Sequence, residues 1–133
     1  MTNTSTVSPA EFQHIDDALA LQVEQLDSEA AVDALLLHAI NLGASDAFLL
    51  RAEHSVVFAV RHWGKLRTLA HLSTLRGQHL LGTIKAAAGM DISERRKPLD
   101  GRFVREFDGK SIDFRVNSIP TLHGEDVSLR ILN

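Results

Sequence analysis

Two tight-turn dipeptides constrain this chain most. Asp108-Gly109 separates Phe103–Phe107 from Ser111–Val116. With strand periodicity, Phe103, Arg105 and Phe107 share one face of the first segment. Ile112, Phe114 and Val116 share one face of the second, so Asp113 and Arg115 point the other way. Asp-Gly between two alternating segments predicts a hairpin. Trp63-Gly64 is a second such turn. It joins Val56–Arg61, where Val56, Phe58 and Val60 alternate with Val57, Ala59 and Arg61, to Lys65–Leu69. Two-residue turns connect antiparallel neighbours, so the sheet is expected to be largely antiparallel. A short apolar segment, Ala47–Leu50, and a last segment, Val127–Leu132, complete six strands.

The remaining segments carry helix signals. Ser8-Pro9-Ala10-Glu11 reads as a capping box with proline at the first helical position, and predicts a helix over about 9–25. Phe12, Ile15 and Leu19 follow at helical spacing. A second helix starts near Asp27 or Ser28, with Val32, Leu35, Leu36, Ala39 and Ile40 as its apolar stripe and Gly43 as its stop. Ser73 or Thr74 caps a third, with Leu80, Leu81, Ile84 and Ala88 inward. Gly77 and Gly82 weaken that helix by about 1 kcal/mol each relative to alanine. A glycine there is explained if the helix must approach a sheet closely. The layout is two helices, three strands, a helix and three strands, an α+β fold. The expected division is a disordered start and N-terminal helix over 1–26, and an α/β domain over 27–133.

Composition narrows the function classes. A formal net charge of −3 argues against general nucleic-acid binding. No apolar run approaches the roughly 18 residues that cross a bilayer. The absence of cysteine rules out disulfides and thiolate ligands and fits a cytoplasmic protein. No complete P-loop is present. Gly77 and Gly82 have its spacing, but Thr83 stands where lysine is required. Gly109-Lys110-Ser111 has its ending, but belongs to the hairpin turn. His14, His38, His54, His62, His71, His79 and His123 form no HExxH or close ligand pair, so no metal or other cofactor is expected. GxSxG is absent, and Ser45-Asp46 is read as shaping a helix-to-strand turn.

The arginines are the remaining chemical signal. Arg95, Arg96, Arg102, Arg105, Arg115 and Arg130 all lie in the last third. A guanidinium presents a planar fork suited to phosphate or carboxylate. From spacing alone, a solvated charged face with local ion pairs explains them as well.

Two stretches, "TIKAAAGMDISERRKPLDGRF" and "IDFRVNSIPTLHGEDVSLRIL", resemble the end of the N-terminal domain of type II secretion and type IV pilus assembly ATPases, the GspE/PilB type. "LLLHAINLGASD" is similar to an earlier helix and Gly-Ala-Ser-Asp turn of that family. The resemblance covers roughly residues 30–133. It implies a PAS-like module that precedes a RecA-like motor domain and packs against motor domains in a hexamer. It also implies that Arg102 of Asp-Gly-Arg and Arg115 of Asp-Phe-Arg reach ATP phosphates held by a motor domain. A guanidinium supplied in trans stabilises phosphate charge without belonging to the P-loop.

The sequence departs from the family's pattern in places. Ala47, Phe48, Leu49 and Leu50 replace the usual Ile-His-Ile-Glu. Val57 and Ala59 stand where two arginines would fall, with Arg61 retained. Trp63-Gly64 replaces Asp-Gly, and Leu99 replaces glutamine. One face thereby becomes more apolar, which points to a partner. The chain stops where a motor domain would begin, so the expectation is a non-catalytic interaction module, an accessory or regulatory component rather than an enzyme. The alternative is the N-terminal part of a traffic ATPase that donates Arg102 and Arg115 to an ATP site on a separate motor domain. Its expected partner is a full-length secretion or pilus ATPase, another component of the machine, or a second copy of itself, but neither nucleic acid nor the membrane interior. A place at the inner face of the inner membrane fits that expectation. Arg95, Arg96, Asp100, Phe48, Leu50, Trp63 and Arg130 are the interface candidates beside Arg102 and Arg115. A PAS-like small-molecule sensor is the rival from another class, with Phe48, Phe58, Trp63, Phe103, Phe107 and Phe114 lining its pocket.

Overall fold

The computed structural model describes residues 17–133. The capping box at Ser8–Glu11 and His14 lie outside the described residues. Helix α1 is described over Asp17–Gln25, followed by α2 (Ser28–Leu42), β1 (Asp46–Arg51), β2 (Val56–His62) and β3 (Lys65–Leu72). Helix α3 (Thr74–Ala87) then leads to β4 (Leu99–Phe107), β5 (Lys110–Pro120) and β6 (Glu125–Leu132). The strands form one antiparallel sheet in the order β3-β2-β1-β6-β5-β4. Two three-strand meanders therefore meet where β1 pairs with β6, and α3 carries the chain between them. This is the α+β layout expected from the turns.

The local reasons are visible. Asp27 caps α2, its carboxylate accepting from the Ala30 N–H at 2.8 Å. Gly43 ends α2 in the left-handed region (φ 77°). Its N–H donates to the Ile40 carbonyl and the Ala44 N–H to Ala39, satisfying two end carbonyls. Ser73 caps α3 by accepting from the Arg76 N–H. The turn pairs Trp63-Gly64 and Asp108-Gly109 all take positive φ, the geometry of a type I′ hairpin.

The helices cover one face of the sheet, and the buried alternate residues of every strand point at them. Leu35, Leu36, Leu49, Phe58, Leu80, Phe114, Leu129 and Val127 form the centre of the core. Arg105 points inward, reaches Asp33 and Glu29 of α2, and lies over the Phe103 ring. Arg76 ties the helices together. Its guanidinium donates to the Val23 carbonyl at 3.0 Å and to the Leu26 carbonyl, which end α1. Gly77 is where α3 meets the sheet. A Cβ there would lie 2.2 Å from a Val56 methyl, so only glycine permits the approach. Gly82 has no such constraint, since a Cβ meets nothing within 4 Å.

Every strand runs longer than its sequence signal, β1, β2 and β6 by one or two residues and the other three by more. β3 continues past Leu69 because a bulge there pairs Phe58 with Ala70 and Ala59 with Thr68, which breaks the alternation. β5 continues to Pro120. β4 starts at Leu99, not Phe103, so Asp100-Gly101-Arg102 is strand rather than loop.

Candidate functional site

Among the described residues the second face of the sheet carries no helix, and cross-strand register aligns its arginines. Arg102 of β4 pairs with Arg115 of β5, Arg115 with Arg130 of β6, Arg130 with Asp46 of β1, Asp46 with Arg61 of β2, and Arg61 with Leu66 of β3. Four guanidiniums and one carboxylate thus lie in a single row across the whole sheet. Strands are about 4.8 Å apart, so the row is roughly 24 Å long. The arginine side chains are 44–67% exposed.

Two carboxylates hold the row. Asp46, only 11% exposed, accepts from Arg130 Nε at 3.2 Å and from the Ser45 hydroxyl at 2.7 Å. Arg61 Nε stands 3.8 Å from the same carboxylate, with its guanidinium over the Phe48 ring. Asp113 of β5 serves the other end. Its Oδ2 accepts from Arg102 at 2.8 Å, and its Oδ1 faces Arg115 Nε at 3.4 Å without hydrogen-bond geometry. Like charges directly opposite in a sheet repel. Two carboxylates against four guanidiniums leave this stripe cationic on a chain whose net charge is −3.

Arg102 owes its place to Gly101. A Cβ at Gly101 would sit 2.3 Å from the Ala88 carbonyl oxygen, so glycine lets the edge strand pass against the end of α3. The loop between them is shaped by its acids. The Ser93 hydroxyl and N–H donate to Asp91 and hold its carboxyl below the usual range. The Arg96 N–H does the same for Glu94. Lys85, fully buried, donates to Glu125 at 2.8 Å and to the Glu94 carbonyl at 2.8 Å. That buried pair pins α3, the loop and the β5–β6 turn together.

The structure brings Arg102, Arg115 and Arg130 into one row, with Asp100 two positions from Arg102 on the same face of β4. Phe48 and Leu50 lie on this face too, opposite Ala59 and Val57, and these four apolar side chains form a pair of rungs beside the charged row. Trp63 is 84% exposed at the β2–β3 turn, at the opposite edge from Arg102. Arg95 and Arg96 stay in the loop and do not join the row. Asp46 and Asp113 were not singled out as site residues by sequence reasoning. The signal for both was strand parity, which places them on the arginine face once the register is fixed. Among the described residues no three histidine or acidic side chains come together to hold a metal. Of the six aromatic residues that could have lined a pocket, Phe58, Phe103 and Phe114 are buried in the core. The void between Val32, Leu35, Phe58, Ile84 and Leu129 is about 10 Å³.

Residues 22–133 match the family described as Type II/IV secretion system protein. The chain belongs to that family. The type IV pilus assembly ATPase PilB of Pseudomonas aeruginosa is 43% identical over 103 residues, which are 77% of this chain and 18% of PilB. The type II secretion system ATPase E of Vibrio cholerae is 35% identical over 102 residues, 77% of this chain and 20% of the relative. The chain thus spans about a fifth of the length of these secretion-system relatives. Among solved structures, the Legionella pneumophila ATPase DotB shares the fold (TM-score 0.52, 22% identity, 74% of this chain and 28% of DotB). The pilus retraction motor PilT with bound ADP is similar as well (TM-score 0.50, 25% identity, 72% of this chain and 27% of PilT). No helix of the described residues is long and apolar enough to cross a membrane.

Proposed function

We propose that this chain is a non-catalytic interaction module of a type II secretion or type IV pilus machine, whose open sheet face is presented to a motor ATPase. Arg102 and Arg115 supply positive charge in trans to phosphate held by that motor domain. The observation that carries this reading is the cross-strand row. Register alone sets Arg102 and Arg115 side by side, exposed, with one carboxylate between them. Two adjacent forks match a phosphate better than either matches alone. The test is ATP turnover by a motor domain from the family, reconstituted with this chain. Arg102→Ala and Arg115→Ala should each lower the stimulated rate by orders of magnitude, the scale of an arginine supplied in trans. Binding and circular dichroism should stay as they were. Unchanged turnover would sink the arginine role.

A second reading rests on a different observation, the apolar rungs Phe48·Ala59 and Leu50·Val57 next to the row. They support an accessory or regulatory module that adheres by this face to an ATPase or to a second copy of itself. Sedimentation of the chain alone and mixed with a full-length ATPase separates these: a monomer that also fails to co-sediment would exclude both. A small-molecule pocket among the core aromatics has little support, because the void there is about 10 Å³ and holds one water at most.

A further inference from the structure

A groove lies on the helix side of the sheet, away from the arginine row. One wall is α3, through Gln78, Leu81 and Gly82. The other is the β5–β6 turn, through Thr121–Gly124, and Ile92 and Arg95 close one end. Its volume is about 460 Å³. Gly82 makes the dent in the helix, since nothing fills the space where its side chain would be. The walls are fixed rather than mobile, because buried Lys85 bonds both Glu125 at the turn and the Glu94 carbonyl in the loop.

Two features of the groove are unsatisfied. Arg51 and Arg95 both line it, and among the described residues neither guanidinium forms an ion pair, Asp126 accepting only from the Arg51 backbone N–H at 2.7 Å. Arg51 spends its Nε on the Ala52 carbonyl, leaving the rest of its fork over Gly124. The single acid in the lining, Glu125, is neutralised by Lys85. The rim is apolar: Leu122 is 91% exposed and Ile92 47%. Cations without counterions beside exposed large apolar side chains fit one occupant better than a small anion, which would use the arginines and leave the leucine in water.

We propose that this groove docks an acidic, leucine-bearing segment of another protein, its carboxylates on Arg51 and Arg95 and an apolar side chain against Leu81, Ile92 and Leu122. The probe is the acetylated, amidated peptide Glu-Leu-Leu-Glu-Leu-Glu, titrated into the ¹⁵N-labelled full chain. Amide shifts are expected at Gly82, Ile92, Arg95, Leu122 and Gly124. The peptide with lysine in place of glutamate should bind at least tenfold more weakly. The double variant Arg51→Glu/Arg95→Glu should lose at least tenfold, and so should Gly82→Leu, whose Cβ enters the dent with nothing within 4 Å. No shift at millimolar peptide, or equal shifts from both peptides, would overturn the proposal. Equal occupancy by pyrophosphate would reassign the groove to a small anion. A self-association abolished by Gly82→Leu would reassign it to a second copy. Each of these leaves the role of Arg102 and Arg115 untouched, since they lie on the opposite face.

Discussion

Lys85→Met isolates the latch that holds the loop before β4. Lys85 has no exposed side-chain surface, and Glu125 is 6% exposed. Removing the lysine leaves a buried carboxylate facing apolar atoms and frees the Glu94 carbonyl. Losing one partner of a buried pair costs about 3–5 kcal/mol, because the remaining charge is stranded. Unfolding entropy scales with length, so for a chain this size 1 kcal/mol shifts the midpoint by about 3–4 °C. The expected drop in Tm is therefore roughly 10–18 °C. Glu125→Leu alone should cost a similar amount by stranding the lysine. The double variant Lys85→Met/Glu125→Leu should recover most of the loss, since a well-packed apolar pair often matches a buried ion pair. The assay is thermal and urea unfolding of all four proteins, each followed by circular dichroism, with the urea free energies treated as a double-mutant cycle. Additive single losses, or a Lys85→Met loss below about 1 kcal/mol, would refute the latch.

The glycines of α3 should respond oppositely. Gly77→Ala drives a Cβ into Val56 and should destabilise by about 1–3 kcal/mol, whereas Gly82→Ala meets nothing and should stabilise by about 0.5–1 kcal/mol in the same urea assay; the same sign for both would refute the close approach of α3. The loop should resist acid. Asp91 and Glu94 have carboxyls held below the usual range, so their hydrogen bonds contribute fully above that range and are lost only as pH falls below it. The Ser93 and Arg96 amide shifts should move below the ordinary carboxylate range, and a midpoint inside that range would count against the turns. Asp113→Asn should strengthen binding of pyrophosphate to the isolated chain several-fold by releasing two guanidiniums, and a weakened affinity by isothermal titration would show that Asp113 orients them instead.

Much of the fold was legible because hairpin turns and helix caps are local. Asp108-Gly109, Asp27, Gly43 and Ser73 do in the structure what their residue types favour, and Gly64 closes its turn with Trp63 held at φ 55° against its own preference. Long-range causes hid the rest. Leu69 breaks the strand period because it sits in a bulge opposite β2. Asp100-Gly101-Arg102 imitates a turn, while its glycine answers to the Ala88 carbonyl, thirteen residues earlier. Arg102 and Arg115 were placed by resemblance. Their adjacency follows from the register of the Asp108-Gly109 hairpin, and Arg130 joins through the next pair, β5–β6. The continuation of the row to Asp46 and Arg61 depends on β1 pairing with β6, which no local segment encodes.

That alignment bears on how the open face would meet phosphate. Asp113 offers two oxygens, and Arg102 takes the good geometry at 2.8 Å while Arg115 is left at 3.4 Å. Arg130 is drawn the other way, toward Asp46. The isolated chain therefore gives Arg102 and Arg130 a hydrogen-bonded carboxylate each and leaves Arg115, between them, without one. A phosphate group carries more charge than one carboxylate and offers three acceptors, so it would relieve the repulsion between Arg102 and Arg115 rather than merely replace a partner. Arg115→Ala should then cost more phosphate affinity than Arg102→Ala, because Arg115 gives up the weaker internal contact. Pyrophosphate titration of the two variants decides it, and the reverse order would show that the pre-aligned Arg102 is the main contact.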